Sequence, residues 1–298
     1  MGILYEILST PYAYLKKAFC SGEKPQRSCA PVVIPFGNHR QQHCVLWEPD
    51  AVTHEETVMY YHGGAYVFGS PESLDNLADA YNSQGYRFCS VGFRKVPGSR
   101  FPAQVDDAFA GIQAALSWLE EHGRPARRIV VGGTSAGGHL AYLVAYGRKL
   151  QQTYGFDGRR VAACISVAGI ACGEDMLITP FPCYAAWRTC VNLSSENHSR
   201  GAMRKVAAGY SPINLVDAKS SVPLFIIHGR ADKMSPYASQ ERFVRKLQQV
   251  AGVGMVHLLT LQSWKWQHML LTVTLYKHRV RDFPPLQELF DWLDEALR

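Results

Sequence analysis

The sequence contains no apolar run long enough to cross a membrane. A membrane-spanning helix needs about 20 consecutive apolar residues, and the longest candidates, such as Val161–Ile170, are shorter and soon interrupted by glycine or charge. The first residues lack a positively charged leading segment and Glu6 breaks their apolar run, so a secretory signal is not predicted. We therefore expect a soluble chain in the cytoplasm, with no membrane span.

Clustered positive charge is also absent. The 31 Lys and Arg residues exceed the 25 Asp and Glu residues by 31 − 25 = 6, and the basic residues are scattered along the chain. A nucleic-acid-binding protein normally carries a clustered basic stripe. We therefore expect no nucleic-acid partner.

The eight cysteines show neither metal-ligand nor redox-motif spacing. In a chain of 298 residues, this favours buried free thiols over a disulfide framework. The histidines outside the motifs below show no ligand spacing, and no carboxylate cluster suggests a metal hydrolase, so the sequence predicts no metal site.

The composition, with 47% hydrophobic and 19% charged residues, is typical of a globular protein. Short apolar, β-branched runs alternate with longer amphipathic ones, which is typical of βα units around a mostly parallel sheet flanked by helices. The predicted strands are Cys44–Trp47, Thr57–Tyr61, Arg87–Val91, Arg128–Val131, Val161–Val167, Leu224–Ile227 and Met255–Leu261. The predicted helices are Gln104–Glu121, His139–Leu150, Pro236–Val250 and Leu286–Leu297.

No repeat, low-complexity tract or linker divides the chain, so residues 1–298 are predicted to form a single α/β domain. Two stretches, residues 1–30 and about 172–210, do not follow the βα alternation, and we interpret them as cap elements that cover a site. For the first stretch, a helix packed on its own domain is favoured over a membrane-surface helix, because Lys and Arg do not dominate its polar face.

The strongest local motif is Gly133-Thr134-Ser135-Ala136-Gly137-Gly138, which lies between a predicted strand and a predicted helix. A serine on a sharp strand-to-helix turn presents its hydroxyl at the edge of the sheet, and the tight turn requires small neighbours. The helix that follows directs its N-terminal dipole towards the serine. The motif predicts a nucleophilic Ser135, with a purely structural glycine-rich turn as the alternative.

A second motif, His62-Gly63-Gly64-Ala65-Tyr66, follows the strand Thr57–Tyr61. Adjacent glycines allow backbone N–H groups to approach a ligand without a Cβ in the way. Such donors can stabilise the negative charge of a tetrahedral intermediate. An ordinary loop is the alternative interpretation.

A nucleophilic serine needs a base and an orienting acid, which follow it in the order acid, then histidine, in enzymes with this motif. Asp232 lies just after the strand Leu224–Ile227 and is the predicted acid. A carboxylate that caps the following helix is the alternative role. Asp217 precedes the same strand and is expected at the opposite edge of the sheet.

His268 is the predicted base, because it follows the last strand in a loop that leaves it free to reach Ser135. His257 lies within that strand, where the pleat sets its direction, and is expected to pack or to face solvent. His278 is too far along the chain to be attractive.

From about residue 55 onward, these ordered motifs, together with Tyr210-Ser211-Pro212-Ile213 and His228-Gly229-Arg230-Ala231-Asp232, resemble α/β-hydrolase fold esterases of the hormone-sensitive-lipase and acetyl-esterase type. The resemblance implies Ser135 as nucleophile, Asp232 as acid and His268 as base. It also implies an oxyanion hole formed by N–H groups of Gly63, Gly64 or Ala65 together with Ala136. Two residues depart from the pattern: Ala65 stands in place of a third glycine, and Met269 follows His268 where a small residue is common.

The expected function is that of a serine carboxylesterase acting on a small-molecule, small or short-acyl ester through an acyl-enzyme, with no cofactor. Two alternatives remain open. One is an amide or formamide hydrolase similar to arylformamidases, and the other is a non-catalytic ligand-binding or non-hydrolytic member of the same fold. A homodimer is compatible with the sequence.

Overall fold

The computed structural model describes residues 27–179, 183–191, 199–263, 267–276 and 280–298. Eight strands form one sheet in the order β1-β2-β4-β3-β5-β6-β7-β8. The pairs β1–β2 and β2–β4 are antiparallel, and the others are parallel. The strands are β1 Val32–Pro35, β2 His43–Trp47, β3 Thr57–Tyr61, β4 Arg87–Val91, β5 Ile129–Thr134, β6 Val161–Val167, β7 Leu224–Gly229 and β8 Val256–Leu261.

Helices connect the strands and cover the sheet. The α-helices of the described ranges are α1 Asp75–Ser83, α2 Ala103–Glu121, α3 Ala136–Tyr146, α4 Arg148–Thr153, α5 Cys183–Val191, α6 Arg200–Gly209, α7 Pro212–Leu215, α8 Tyr237–Ala251, α9 His268–Thr274 and α10 Pro284–Ala296. Short 3-10 turns span Pro71–Leu74, Gly158–Arg160, Asp175–Ile178 and Val280–Asp282. No helix within these ranges is long and apolar enough to cross a membrane.

The two faces of the sheet carry separate hydrophobic cores. Met59 and Tyr61 of β3 belong to the core that includes α2, α3 and α8. Val58 and Tyr60 belong to the core on the other side, with α1 and α10. Strands β3, β5, β6 and β7 are therefore buried along their whole length, as parallel strands covered on both faces are.

The predicted α/β class and the seven predicted strands are confirmed, with shifts at some ends. Strand β1 was not predicted from the sequence. The predicted helix His139–Leu150 is wrong at its C-terminal end, because α3 stops at Tyr146 and α4 begins at Arg148. Gly147, with ψ of 68°, lies between the two helices outside the helical region.

The segment predicted as a cap from residue 172 to 210 contains the turn Asp175–Ile178 and helices α5 and α6 where it is described. Helix α5 hydrogen-bonds to and packs against Phe101 of the core. The Phe101 N–H donates to the carbonyl oxygen of Cys190 (3.1 Å), and the Trp187 ring packs edge-on against Phe101 (5.6 Å). Residues 1–26 of the other predicted cap element lie outside the described ranges.

Six cysteines are described as free, of which Cys29 is exposed and the other five are buried. The five are Cys44, Cys89, Cys164, Cys172 and Cys190. The prediction of buried free thiols is confirmed for these five.

Candidate active site

Ser135 lies on a strained turn between β5 and α3. Its φ of 54° and ψ of −115° lie where a side chain other than glycine is uncommon. The neighbouring glycines permit this turn. A Cβ on Gly133 would lie 2.2 Å from the carbonyl carbon of Gly137, and a Cβ on Gly137 would lie 2.0 Å from the carbonyl oxygen of Tyr61. Both contacts would be with backbone atoms, which explains the requirement for small residues around the serine.

The structure brings Ser135, His268 and Asp232 together in one hydrogen-bonded chain. The Ser135 hydroxyl donates to Nε2 of His268 over 2.7 Å, and Nδ1–H of His268 donates to Oδ2 of Asp232 over 2.8 Å. His268 is the first residue of α9, and Asp232 follows β7. All three residues are buried, with 8%, 6% and 5% of their surface exposed, respectively.

The Asp232 carboxylate is held in its ionised form. Burial raises its pKa, but the nearby charge of His268 and hydrogen bonds from His228 and His268 outweigh that effect and hold the pKa well below the usual range. The other carboxylate oxygen, Oδ1, accepts the backbone N–H groups of Met234 (2.8 Å) and Ser235 (2.9 Å). A carboxylate held in this way can orient the imidazole and stabilise its protonated form.

His257 and Asp217 have partners outside the hydrogen-bonded chain of Ser135, His268 and Asp232. His257 in β8 hydrogen-bonds to Glu288 (2.7 Å) and stacks on Phe225 (4.7 Å). Asp217 precedes β7 and forms an ion pair with Arg148 (3.6 Å). His278 lies outside the described residues.

The loop after β3 is held in a left-handed conformation next to Ser135. Gly64, Ala65 and Tyr66 have φ values of 122°, 53° and 63°. A Cβ on Gly64 would lie 2.4 Å from the Phe68 carbonyl oxygen, so this position requires glycine. Ala65 and Tyr66 adopt an uncommon conformation at a cost of about 1–3 kcal/mol each, which is a feature of functional loops.

The predicted oxyanion donors divide into two groups. The N–H of Gly63 donates to the Tyr276 hydroxyl over 3.0 Å, so it already has an acceptor within the protein. Within the described ranges, the N–H groups of Gly64, Ala65 and Ala136 have no protein acceptor. Ala136 is the first residue of α3, where N–H groups lack partners inside the helix and the helix dipole favours negative charge.

His62 supports this loop as a neutral side chain. Burial, together with the charge of Lys95, lowers its pKa to about 3. Its Nδ1–H donates to the Gly63 carbonyl oxygen over 2.7 Å, and its ring stacks on Phe93 with 4.3 Å between centroids.

Tyr66 and His139 connect the loop to the helix that follows Ser135. The Tyr66 hydroxyl lies 2.5 Å from Nδ1 of His139 and 3.0 Å from the Ala136 carbonyl oxygen. Nε2–H of His139 donates to the carbonyl oxygen of Tyr210 (2.6 Å), which leaves Nδ1 as an acceptor. Burial lowers the pKa of His139 to about 4, so this imidazole is neutral.

Sequence reasoning did not find the supporting residues Tyr66, His139, His228 and Tyr276. Weak signals existed for three of them. Tyr66 follows the glycine loop directly, His139 lies one helical turn after Ser135, and His228 begins the segment that ends in Asp232. Tyr276 has no such signal, because its partner Gly63 is 213 residues away.

A narrow pocket of about 30 Å³ opens beside Ser135 and His268. Its walls include Tyr66, Met176 and Trp187. Met176 and Trp187 come from the segment predicted as a cap.

Among the described residues, no three His, Cys, Asp or Glu side chains are arranged to hold a metal ion.

The BD-FAE family model matches residues 46–247 of the chain. The chain belongs to the BD-FAE family. Known proteins similar to this family member include an acetyl-hydrolase of Streptomyces hygroscopicus, 37% identical over 133 residues, which are 44% of this chain and 42% of that protein. Carboxylesterase NlhH of Mycobacterium tuberculosis is 34% identical over 106 residues, 34% of this chain and 32% of that protein. The chain thus spans less than half the length of these curated relatives.

Solved structures share the fold of this BD-FAE family member. Esterase B from Lactobacillus rhamnosis has a TM-score of 0.75 at 17% identity, with 99% of this chain and 94% of that chain covered. A bacterial heroin esterase has a TM-score of 0.74 at 21% identity, with 99% and 92% covered. The resemblance to α/β-hydrolases of the hormone-sensitive-lipase and acetyl-esterase type is confirmed.

Proposed function

We propose that the chain is a serine carboxylesterase that hydrolyses small or short-acyl esters through an acyl-enzyme. The observation that carries the proposal is the hydrogen-bonded chain from Ser135 Oγ through His268 to Asp232, with distances of 2.7 and 2.8 Å. The names of the relatives support it, since they include an acetyl-hydrolase and an ethyl acetate hydrolase of Pseudomonas putida.

In the proposed reaction, Ser135 Oγ attacks the ester carbonyl while Nε2 of His268 takes the hydroxyl proton. Asp232 holds Nδ1–H of the imidazole and stabilises the positive charge that develops on the ring. The protonated Nε2 then gives its proton to the leaving alcohol. A water molecule, activated by the same imidazole, hydrolyses the acyl-Ser135 bond and regenerates the serine.

The negative oxygen of each tetrahedral intermediate is proposed to accept hydrogen bonds from the N–H groups of Gly64, Ala65 and Ala136. Donors of this kind contribute a factor of about 10²–10³ each. Gly63 is left out of this set because its N–H donates to Tyr276. We propose instead that Gly63 anchors the loop.

The small volume beside Ser135, about 30 Å³, supports a short acyl group. Residues from the segment 172–210 form part of that wall, which supports a cap role for the segment. We accordingly propose a single domain over residues 1–298, with cap elements at about 1–30 and 172–210.

A formyl group is smaller than an acetyl group and also suits this volume, so a formamide hydrolase is the second candidate. The two candidates differ in the leaving group. Turnover of p-nitrophenyl acetate and of an N-formyl aryl amine by the same preparation separates them. We expect the ester to be turned over faster.

The test of the proposed function is covalent labelling with a small fluorophosphonate, followed by mass spectrometry of the labelled peptide. Wild type should be labelled at Ser135, and Ser135→Ala should remain unlabelled while keeping the wild-type circular dichroism spectrum. Absence of a label on Ser135 in folded wild-type protein would contradict the proposal, including its formamidase form.

A cytoplasmic location, a homodimer and the absence of a nucleic-acid partner remain predictions. The buried free thiols support a reducing compartment. Cell fractionation, analytical ultracentrifugation and a nucleic-acid filter-binding assay check the three predictions in turn.

A further inference from the structure

A second imidazole, that of His228, contacts the Asp232 carboxylate. Its Nε2 lies 3.3 Å from Oδ2 of Asp232 and 2.9 Å from the carbonyl oxygen of Ser235. The side chains of His228 and Asp232 have no exposed surface. Oδ2 is also the oxygen that accepts Nδ1–H of His268, so two imidazoles share one carboxylate oxygen.

The surroundings of His228 determine which nitrogen carries its proton. The Ser235 carbonyl oxygen can only accept a hydrogen bond, so Nε2 must carry hydrogen. Nδ1 is buried and has no hydrogen-bond partner within the described part of the chain. A proton on Nδ1 would be a buried donor without an acceptor, which is costly. Nε2–H of His228 is therefore the donor of this side chain.

The donors around Asp232 occupy both of its oxygens. Oδ1 accepts two backbone N–H groups from the turn that follows Asp232. Oδ2 accepts His268 and faces His228. Hydrogen bonds from both imidazoles lower the pKa of Asp232. Without His228, Oδ2 would have His268 as its remaining side-chain donor.

We propose that His228 is a positioning residue for the esterase reaction: its Nε2–H, shared between the Ser235 carbonyl oxygen and Oδ2 of Asp232, holds the Asp232 carboxylate in the plane that faces His268 and draws charge from Oδ2. This inference rests on the proposed function, since it assigns His228 a part in activating Ser135. A purely structural His228 would only bridge β7 to the turn at Ser235 and would affect stability alone.

The test uses His228→Phe, His228→Gln and the control His257→Gln. Phenylalanine keeps a flat ring but removes the donor, whereas glutamine keeps an N–H that can reach Asp232. His257 is also a strand histidine that hydrogen-bonds to a carboxylate, but that carboxylate is Glu288 rather than Asp232, and its ring stacks on Phe225. The measurement is the second-order rate constant for labelling by the fluorophosphonate across pH 5–9, which requires no knowledge of the substrate.

We expect His228→Phe to label roughly 10-fold more slowly on the pH plateau, the loss expected for one hydrogen bond to a charged group. On the acid side of its pH–rate profile, the pH at which the labelling rate falls to half should rise by about half a unit. The reason is that a carboxylate with one donor fewer stabilises the protonated His268 more strongly, and protonated His268 cannot accept the serine proton. His228→Gln should recover the wild-type limb and most of the rate, and His257→Gln should match wild type.

A folded His228→Phe that labels at the wild-type rate with an unchanged acid limb would overturn the inference, even if its melting temperature were lower. Failure of the proposed function looks different, since wild type itself would then not be labelled. A measurement on wild type covers the case in which His228→Phe does not fold. In ¹⁵N-histidine NMR spectra of wild type, His228 should carry a hydrogen on Nε2. A proton on Nδ1 alone would rule out donation to Asp232.

Discussion

The hydroxyl of Tyr66 lies 2.5 Å from Nδ1 of His139 and 3.0 Å from the carbonyl oxygen of Ala136. Tyr66 belongs to the loop after β3, and the other two residues belong to the helix that begins immediately after Ser135. One hydroxyl therefore sets the distance between the two backbone segments that supply the proposed oxyanion donors.

Replacing Tyr66 with Phe should reduce both stability and activity. The change leaves the buried Nδ1 of His139 without its donor, which costs about 1–3 kcal/mol. It also frees the loop that carries Gly64 and Ala65, so we expect the labelling rate at Ser135 to fall roughly 10-fold. Urea unfolding and fluorophosphonate labelling measure the two effects.

Tyr142→Phe is the matched control for this change. Tyr142 is also buried on α3, and its hydroxyl donates to Gln240 (2.8 Å), which is not part of the loop. We expect a similar loss of stability with an unchanged labelling rate. Equal rates for the two variants would show that Tyr66 contributes to packing alone.

Trp187→Ala should widen the range of acyl groups that are accepted. The Trp187 ring forms a wall of the pocket beside Ser135, and each methylene group that a pocket accepts or rejects is worth roughly 10–200-fold in specificity. The ratio of kcat/KM for p-nitrophenyl hexanoate to that for the acetate should therefore rise at least about 10-fold. Removal of a buried Trp should also cost roughly 3–5 kcal/mol of stability.

Trp118→Ala serves as its control, because Trp118 is half-buried on α2 and stacks on His122 (3.8 Å). Its acyl-length preference should equal that of wild type. If the ratio of kcat/KM for hexanoate to that for acetate stays at the wild-type value in Trp187→Ala, other walls of the pocket limit the length of the acyl group.

Gly137→Ala should prevent correct folding of the turn around Ser135. The added Cβ would lie 2.0 Å from the Tyr61 carbonyl oxygen, and the main chain of β3 cannot move aside within a buried sheet. Gly201→Ala is the control, since a Cβ there meets nothing within 4 Å and should stabilise α6 by about 0.5–1 kcal/mol. Thermal melts of both variants test this, and a wild-type melt for Gly137→Ala would contradict the packing argument.

The free energy of unfolding should decrease as the pH falls from 6.5 to 5. Burial lowers the pKa of His62 to about 3 and that of His139 to about 4, whereas an unfolded histidine titrates near 6.5. The unfolded chain therefore takes up about two more protons than the folded one at the acid end of this range. The slope should approach roughly 2.7 kcal/mol per pH unit.

Urea titrations at several pH values measure this slope. His257→Gln is the control variant, because it removes a half-exposed imidazole and keeps both His62 and His139. A free energy of unfolding that stays constant between pH 6.5 and 5 would show that the two buried imidazoles are protonated in the folded protein.

Much of the sheet was predictable, because its buried strands are continuous apolar runs bounded by glycine, charge or helix. Strand β1 was not, since Val32–Pro35 is an edge strand of four residues that ends in proline, and its apolar run of three residues is too short to mark a strand. The break between α3 and α4 was missed because the apolar pattern continues across Gly147. The effect of Gly147 on the backbone depends on how α4 packs.

The residues of the proposed triad could be predicted because each follows a strand, and the carboxyl ends of parallel strands meet at one edge. The network that supports them could not. Tyr66 and His139 are 73 residues apart, and Gly63 and Tyr276 are 213 apart, so no local pattern links them. The size of the pocket beside Ser135 depends on walls from several such segments. It could not be predicted from the sequence for the same reason.

The order of the strands has a consequence for the location of the site. Strands β3 and β5 are neighbours, yet β3 is followed by α1 on one face of the sheet and β5 by α3 on the other. Chain segments that leave adjacent strands in opposite directions open a crevice between them. The winding of the chain thus creates a cavity there whatever side chains line it. A variant without any of the three proposed catalytic residues would keep a place where a small ligand can bind without reacting.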